Sequence, residues 1–102
     1  MGQFVKVARV EELAAGQVRL VEVEGRRIAL FNLDGPFYAI DDTCPHRGGP
    51  LSEGFIEGDV VICPWHGARF RIPTGEVLSP PAAQGVACYP VRVHGEEIEI
   101  EV

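Results

Sequence analysis

Two short stretches of the chain carry side chains suited to chemistry: Cys44-Pro45-His46, followed by Arg47-Gly48-Gly49-Pro50, and Cys63-Pro64-Trp65-His66, followed by Gly67. The composite is Cys-x-His, sixteen intervening residues, then Cys-x-x-His. Each stretch offers one thiolate and one imidazole from a loop tightened by proline and glycine, so two such loops brought together form a Cys₂His₂ set of soft and borderline donors for a metal. Alone, either residue type is commonly a small core residue or a satisfied turn residue. Two Cys–His pairs in matching loop settings make that coincidence improbable, and Cys44, His46, Cys63 and His66 become the candidate ligands.

The pairing within each loop bears on the metal. A common zinc finger takes both cysteines from one knuckle and both histidines from a later helix, whereas here each loop supplies one of each and no helical pattern comes after them. A mononuclear zinc site and a dinuclear [2Fe–2S] centre both stay open at this point, the second with thiolates on one iron and imidazoles on the other. Gly48, Gly49 and Gly67 lack a Cβ, so backbone N–H groups can approach sulfur closely, and Pro45 and Pro64 stiffen the loops.

These loops need a scaffold. The 12 glycines and 8 prolines cut the chain into short segments with no sustained 3.6-residue apolar period, which predicts an all-β fold. Strands are expected over 4–8, 17–23, 27–33 and 37–41, with turns at Glu24-Gly25-Arg26 and Asp34-Gly35-Pro36 and one helical turn over 10–16 closed by Gly16. Val91, Val93, Ile98, Ile100 and Val102 alternate with Arg92, Glu97, Glu99 and Glu101, predicting a half-buried hairpin that turns at His94-Gly95-Glu96 and closes the sheet. Between these ends, residues 43–85 are rich in proline and glycine and are expected to be loops. The division is therefore one domain over 1–102, with a β scaffold from 1–42 and 86–102 and a metal-binding insert from 43–85.

Composition bounds the partners. A chain of 102 residues is one domain's worth, and mass scaling predicts ~16,000 Å² of surface unfolded against ~5,700 Å² folded. Nine basic and fifteen acidic residues give a net charge of −6, which argues against nucleic acid or an anionic membrane and suits a basic partner. The longest apolar stretches, 60–63 and 86–89, fall far short of a spanning helix, and no secretion signal is read at the start. A cytoplasmic protein is expected, in which an odd cysteine count favours metal ligation over a disulfide framework.

Cys44-Pro45-His46-Arg47-Gly48-Gly49-Pro50-Leu51 and Cys63-Pro64-Trp65-His66-Gly67-Ala68-Arg69-Phe70 resemble the two cluster-binding loops of the Rieske [2Fe–2S] proteins. The likeness extends to the Thr74-Gly75-Glu76 turn and the Ser79-Pro80-Pro81 stretch, which resemble the family's post-cluster turn and shielding proline loop. It implies an antiparallel β-sandwich or barrel with a two-loop cluster insert. It also implies that Cys44 and Cys63 bind the inner iron and that His46 and His66 bind an outer iron near solvent, where electrons leave. Respiratory members carry a further cysteine in each loop where this chain has Gly49 and Trp65, so no loop disulfide is expected. High-potential members place a serine and a tyrosine where this chain has Ala68 and Phe70; fewer donors to sulfur predict a potential near the low end of the range, ~−150 mV.

The resemblance implies a soluble Rieske-type ferredoxin, an electron carrier rather than a catalyst, passing electrons from a flavin-containing reductase to a terminal oxygenase. Beyond His46 and His66 only His94 remains for a second metal site, and no Gly-x-Gly-x-x-Gly turn offers a nucleotide site. The alternatives are the small Rieske-like subunit of an assimilatory nitrite reductase, serving its large subunit, and a zinc-stapled interaction module. Cys88 is expected as a buried strand thiol, His94 as a solvated turn residue and Trp65 as core packing with some shielding. Arg47 is a candidate contact for a partner carboxylate. Asp41, Asp42, Glu53, Glu57 and Asp59 are read either as steering charges for a basic partner or as a solvated face.

Overall fold

A computed structural model describes residues 2–45, 48–65, 67–79 and 84–102. Among them eleven strands form: β1 (Phe4–Arg9), β2 (Val18–Val23), β3 (Arg26–Asn32), β4 (Phe37–Asp41), β5 (Phe55–Glu57), β6 (Val60–Ile62), β7 (Arg69–Arg71), β8 (Val77–Ser79), β9 (Cys88–Tyr89), β10 (Val91–His94) and β11 (Glu97–Glu101). They make three antiparallel sheets, ordered β1-β11-β10, β2-β3-β4-β9 and β5-β6-β7-β8.

The second sheet is the middle layer, and β3 explains why. Its run Ile28-Ala29-Leu30-Phe31 is wholly buried, as an unbroken apolar run predicts for a strand covered on both faces. Ile28 and Leu30 join Val21, Val23, Ala39, Ile98 and Ile100 in a core toward the first sheet. Ala29 and Phe31, on the opposite face, join Ile40, Val61, Phe70 and Ile72 in a core toward the third. Each fully buried aliphatic or aromatic side chain in these layers contributes ~1.5–3 kcal/mol of apolar burial. The folded surface of 5557 Å² is close to the value expected from mass.

The strands over 4–41 match the sequence expectation to within a residue at each end, and the β2–β3 turn shows why: Glu24 and Gly25 both have positive φ, 50° and 81°, as a two-residue hairpin turn requires. Three features differ from expectation. The helical turn is 3₁₀ and spans only Val10–Glu12; Leu13 turns into the core, and Gly16 instead serves the next turn, donating its N–H to the Asn32 carbonyl at 2.8 Å. The β10–β11 hairpin forms, but it pairs through β11 with β1 in a separate sheet, and Val93 is left largely exposed at that sheet's edge. The segment expected to be loops builds the third sheet, because its three-residue strands between Gly54, Gly58 and Gly75 are too short for alternation to be read. No helix among the described residues is long and apolar enough to cross a membrane.

Candidate metal centre

Two knuckles with one hydrogen-bond pattern sit at one end of the third sheet's core. In the first, Cys44 N–H donates to the Gly49 carbonyl at 2.9 Å and Gly48 N–H donates to the Cys44 carbonyl at 2.8 Å. In the second, Cys63 N–H donates to the Ala68 carbonyl at 2.8 Å and Gly67 N–H to the Cys63 carbonyl at 3.0 Å. Both loops therefore close from residue i to i+5 and from i+4 back to i, with cysteine at i and proline after it. The left-handed residue at i+4 is glycine in both, Gly48 at φ 78° and Gly67 at φ 77°, where a Cβ would be strained.

The knuckles face each other. Cys44 and Cys63 are 1% and 2% exposed and belong to one buried cluster with Leu51, Val61, Ala68 and Phe70. Gly49 of the first knuckle lies against the second: a Cβ there would stand 2.7 Å from Cys63 Sγ and 3.2 Å from Trp65 Cγ. Gly49 is thus glycine for space, whereas Gly48 and Gly67 are glycine for backbone conformation. Two soft sulfur donors in one buried cluster, held by stiff loops that leave space for no Cβ at Gly49, suit an iron–sulfur group. His46, Arg47 and His66 lie outside the described residues, as do Pro80 and Pro81.

Several side chains differ from their sequence reading. Trp65 is 59% exposed, with its Cβ and Cγ lying against Gly49. Cys88 is exposed, because β9 is a two-residue edge strand on β4. His94 is exposed, as expected. Ala68 and Phe70 are fully buried beside the thiols and carry no side-chain donor. The Thr74-Gly75-Glu76 turn is tied back by Val86 N–H to the Gly75 carbonyl at 2.8 Å.

The acidic residues near the knuckles are mostly engaged within the protein. Glu57 pairs with Arg69 at 3.1 Å and Asp59 with Arg71 at 3.0 Å. Asp41 accepts a hydrogen bond from Tyr89 Oη at 2.5 Å, and burial together with that bond pushes the Tyr89 pKa up. Asp42 is 1% exposed and accepts the Ser52 N–H at 2.6 Å. The sequence signal for its burial was available: Ile40, Asp42 and Cys44 share one parity, and all three are inside.

Paired cysteine knuckles on an antiparallel scaffold, each with a histidine in its sequence, define a loop-held metal protein of the iron–sulfur kind. The model of the Rieske [2Fe-2S] domain matches residues 3–90, and the chain belongs to that family. The biphenyl dioxygenase ferredoxin subunit of Pseudomonas sp. (strain KKS102) is 37% identical over 99 residues, covering 96% of this chain and 91% of its own. Among solved structures, a complex of reduced oxygenase and oxidized ferredoxin in carbazole 1,9a-dioxygenase contains a chain matching with TM-score 0.90 and 34% identity, over 95% of this chain and 91% of that one. A protein named as nitrite reductase NADPH (small subunit) matches with TM-score 0.82 and 26% identity, over 96% of this chain and 97% of its own.

Proposed function

We propose that this protein is a soluble, cytoplasmic ferredoxin carrying one Rieske-type [2Fe–2S] cluster, which passes single electrons from a flavin-containing reductase to a terminal oxygenase. The observation that carries the reading is the pair of matched knuckles presenting Cys44 and Cys63 from one buried cluster. In this reading Cys44 and Cys63 hold one iron and His46 and His66 the other, with residues 43–85 acting as the cluster-holding insert on a scaffold of 1–42 and 86–102. When bound, the cluster accepts and releases one electron. The chain's own part is to hold the thiols rigidly and keep water from them, which the 1% and 2% exposure of Cys44 and Cys63 supports. Buried Ala68 and Phe70 add no hydrogen-bond donor beside the thiols, consistent with a low potential.

The relatives named as ferredoxin subunits favour the carrier role over catalysis. The nitrite reductase small-subunit reading keeps support from one structural neighbour, but at 26% identity against 37% for the dioxygenase ferredoxin it ranks second. The test is reconstitution. Purified holoprotein should couple a flavin reductase to product formation by an aromatic-ring dioxygenase. Failure to do so, with co-purification of a sirohaem subunit from the source cells, would favour the nitrite reductase role.

A further inference from the structure

The two knuckles are alike in themselves but rest on different foundations. The second stands on a β-hairpin: β6 and β7 flank it, with Ile62 opposite Arg69 and Val61 opposite Phe70. The first has a strand on one side only. β4 leads in, but the loop runs out into a 3₁₀ turn at Leu51–Glu53, and strand-like pairing reaches no further than the bridge between Thr43 and Pro50. A ladder that stops there leaves the next N–H of the returning segment, that of Ser52, in need of an acceptor inside the protein.

Asp42 supplies it. Its main-chain carbonyl accepts the Leu51 N–H at 2.6 Å, its carboxylate Oδ1 accepts the Ser52 N–H at 2.6 Å, and its own N–H donates to the Arg27 carbonyl of β3 at 3.0 Å. Oδ2 faces the Arg27 guanidinium at 3.9 Å. One residue thereby fastens both ends of the first knuckle to each other and to the central sheet, two positions before Cys44. A carboxylate this buried is retained only with such partners, since desolvation otherwise drives it out.

We infer that Asp42 is a positioning residue for the cluster: its carboxylate stands in for the missing strand partner of the first knuckle and so fixes where Cys44 presents its thiol. The inference rests on the cluster-holding reading of the two knuckles. Asparagine keeps an oxygen acceptor at the same reach, alanine removes it, and glutamate displaces it by a methylene.

The experiment compares wild type, Asp42→Asn, Asp42→Ala and Asp42→Glu as full-length holoprotein. The readouts are iron per chain, the rate of cluster loss to a chelator, and amide hydrogen exchange at Ser52, with Cys63 and Gly67 amides as the internal reference. Asp42→Asn should stay within a fewfold of wild type in all three. While its cluster is bound, Asp42→Ala should exchange Ser52 at least tenfold faster with the Cys63 and Gly67 amides keeping their protection, and it should lose that cluster to the chelator at least tenfold faster. If Asp42→Ala does not fold, Asp42→Glu is read in its place against Asp42→Asn. Wild-type exchange and cluster lifetime in the alanine or glutamate variant would overturn the inference, as would an asparagine variant as defective as alanine. A wild-type protein that binds no iron would instead defeat the cluster reading itself.

Discussion

Replacing Gly49 by alanine tests how closely the two knuckles meet. The new Cβ would stand 2.7 Å from Cys63 Sγ and 3.2 Å from Trp65 Cγ. Non-bonded heavy atoms settle at ~3.5–4.0 Å, so relief needs the knuckles to part by roughly 0.8–1.3 Å or the thiol to swing away. Overpacking of this kind costs about 1–3 kcal/mol, a factor of roughly 5 to 140 in an equilibrium constant. That cost falls on the distance between the loops that carry Cys44 and Cys63. Gly67→Ala is the control. A Cβ there meets no atom of the described residues beyond its chain neighbours within 4 Å, so the expected penalty is that of the left-handed backbone at φ 77°, about 1–2 kcal/mol. Iron per chain, the visible spectrum and thermal unfolding of both variants decide the matter. Gly49→Ala should lose iron and alter the spectrum, and Gly67→Ala should unfold earlier with its spectrum unchanged. A Gly49→Ala protein with full iron content and wild-type cluster lifetime would refute the close apposition of the knuckles.

Ala68→Ser places a hydroxyl among the buried residues beside the thiols; one hydrogen bond to a charged acceptor is worth ~1.5–3 kcal/mol, or about 60–130 mV for one electron, and voltammetry should show the potential rising by that order. No rise would mean that the hydroxyl at position 68 does not reach sulfur. Tyr89→Phe removes the bond to Asp41 at a cost of ~1 kcal/mol, measured by chemical denaturation near neutral pH. Because the folded Tyr89 pKa is raised, its contribution is full below the unfolded value of about 10 and is lost as pH climbs through the folded value, so the phenylalanine variant should show a flatter alkaline limb. Removing the cluster should loosen residues 44–49 and 63–68 before the β10–β11 hairpin, and equal hydrogen-exchange protection of both regions in the apoprotein would contradict that order.

The scaffold was readable where a strand was long enough to declare its period. Strand β3 announces itself through an unbroken apolar run and the β10–β11 hairpin through alternation, and both through turn residues such as Gly25 and Gly95, both at positive φ. The third sheet was not readable, since in a three-residue strand one buried residue, Val61 or Phe70, cannot display alternation. At the candidate metal centre, residue type and spacing pick out the thiols, but not what holds them. Gly49 and Gly67 look the same in sequence, and only the approach of the opposite knuckle separates a steric need from a conformational one. Asp42 reads in sequence as a steering charge or part of a solvated face, whereas its position in step with Ile40 and Cys44 marks it as inward. Trp65 reads in sequence as core packing with some shielding; its Cβ and Cγ do lie against Gly49, but the residue stays 59% exposed.

The central claim is that the two knuckles hold a two-iron redox cluster. The most direct test is the visible absorption spectrum of freshly purified protein before and after dithionite, with iron and zinc counted on the same sample. The account predicts red-brown protein with about two irons per chain and no zinc, bleaching on reduction. Colourless protein holding one zinc and indifferent to dithionite would contradict it.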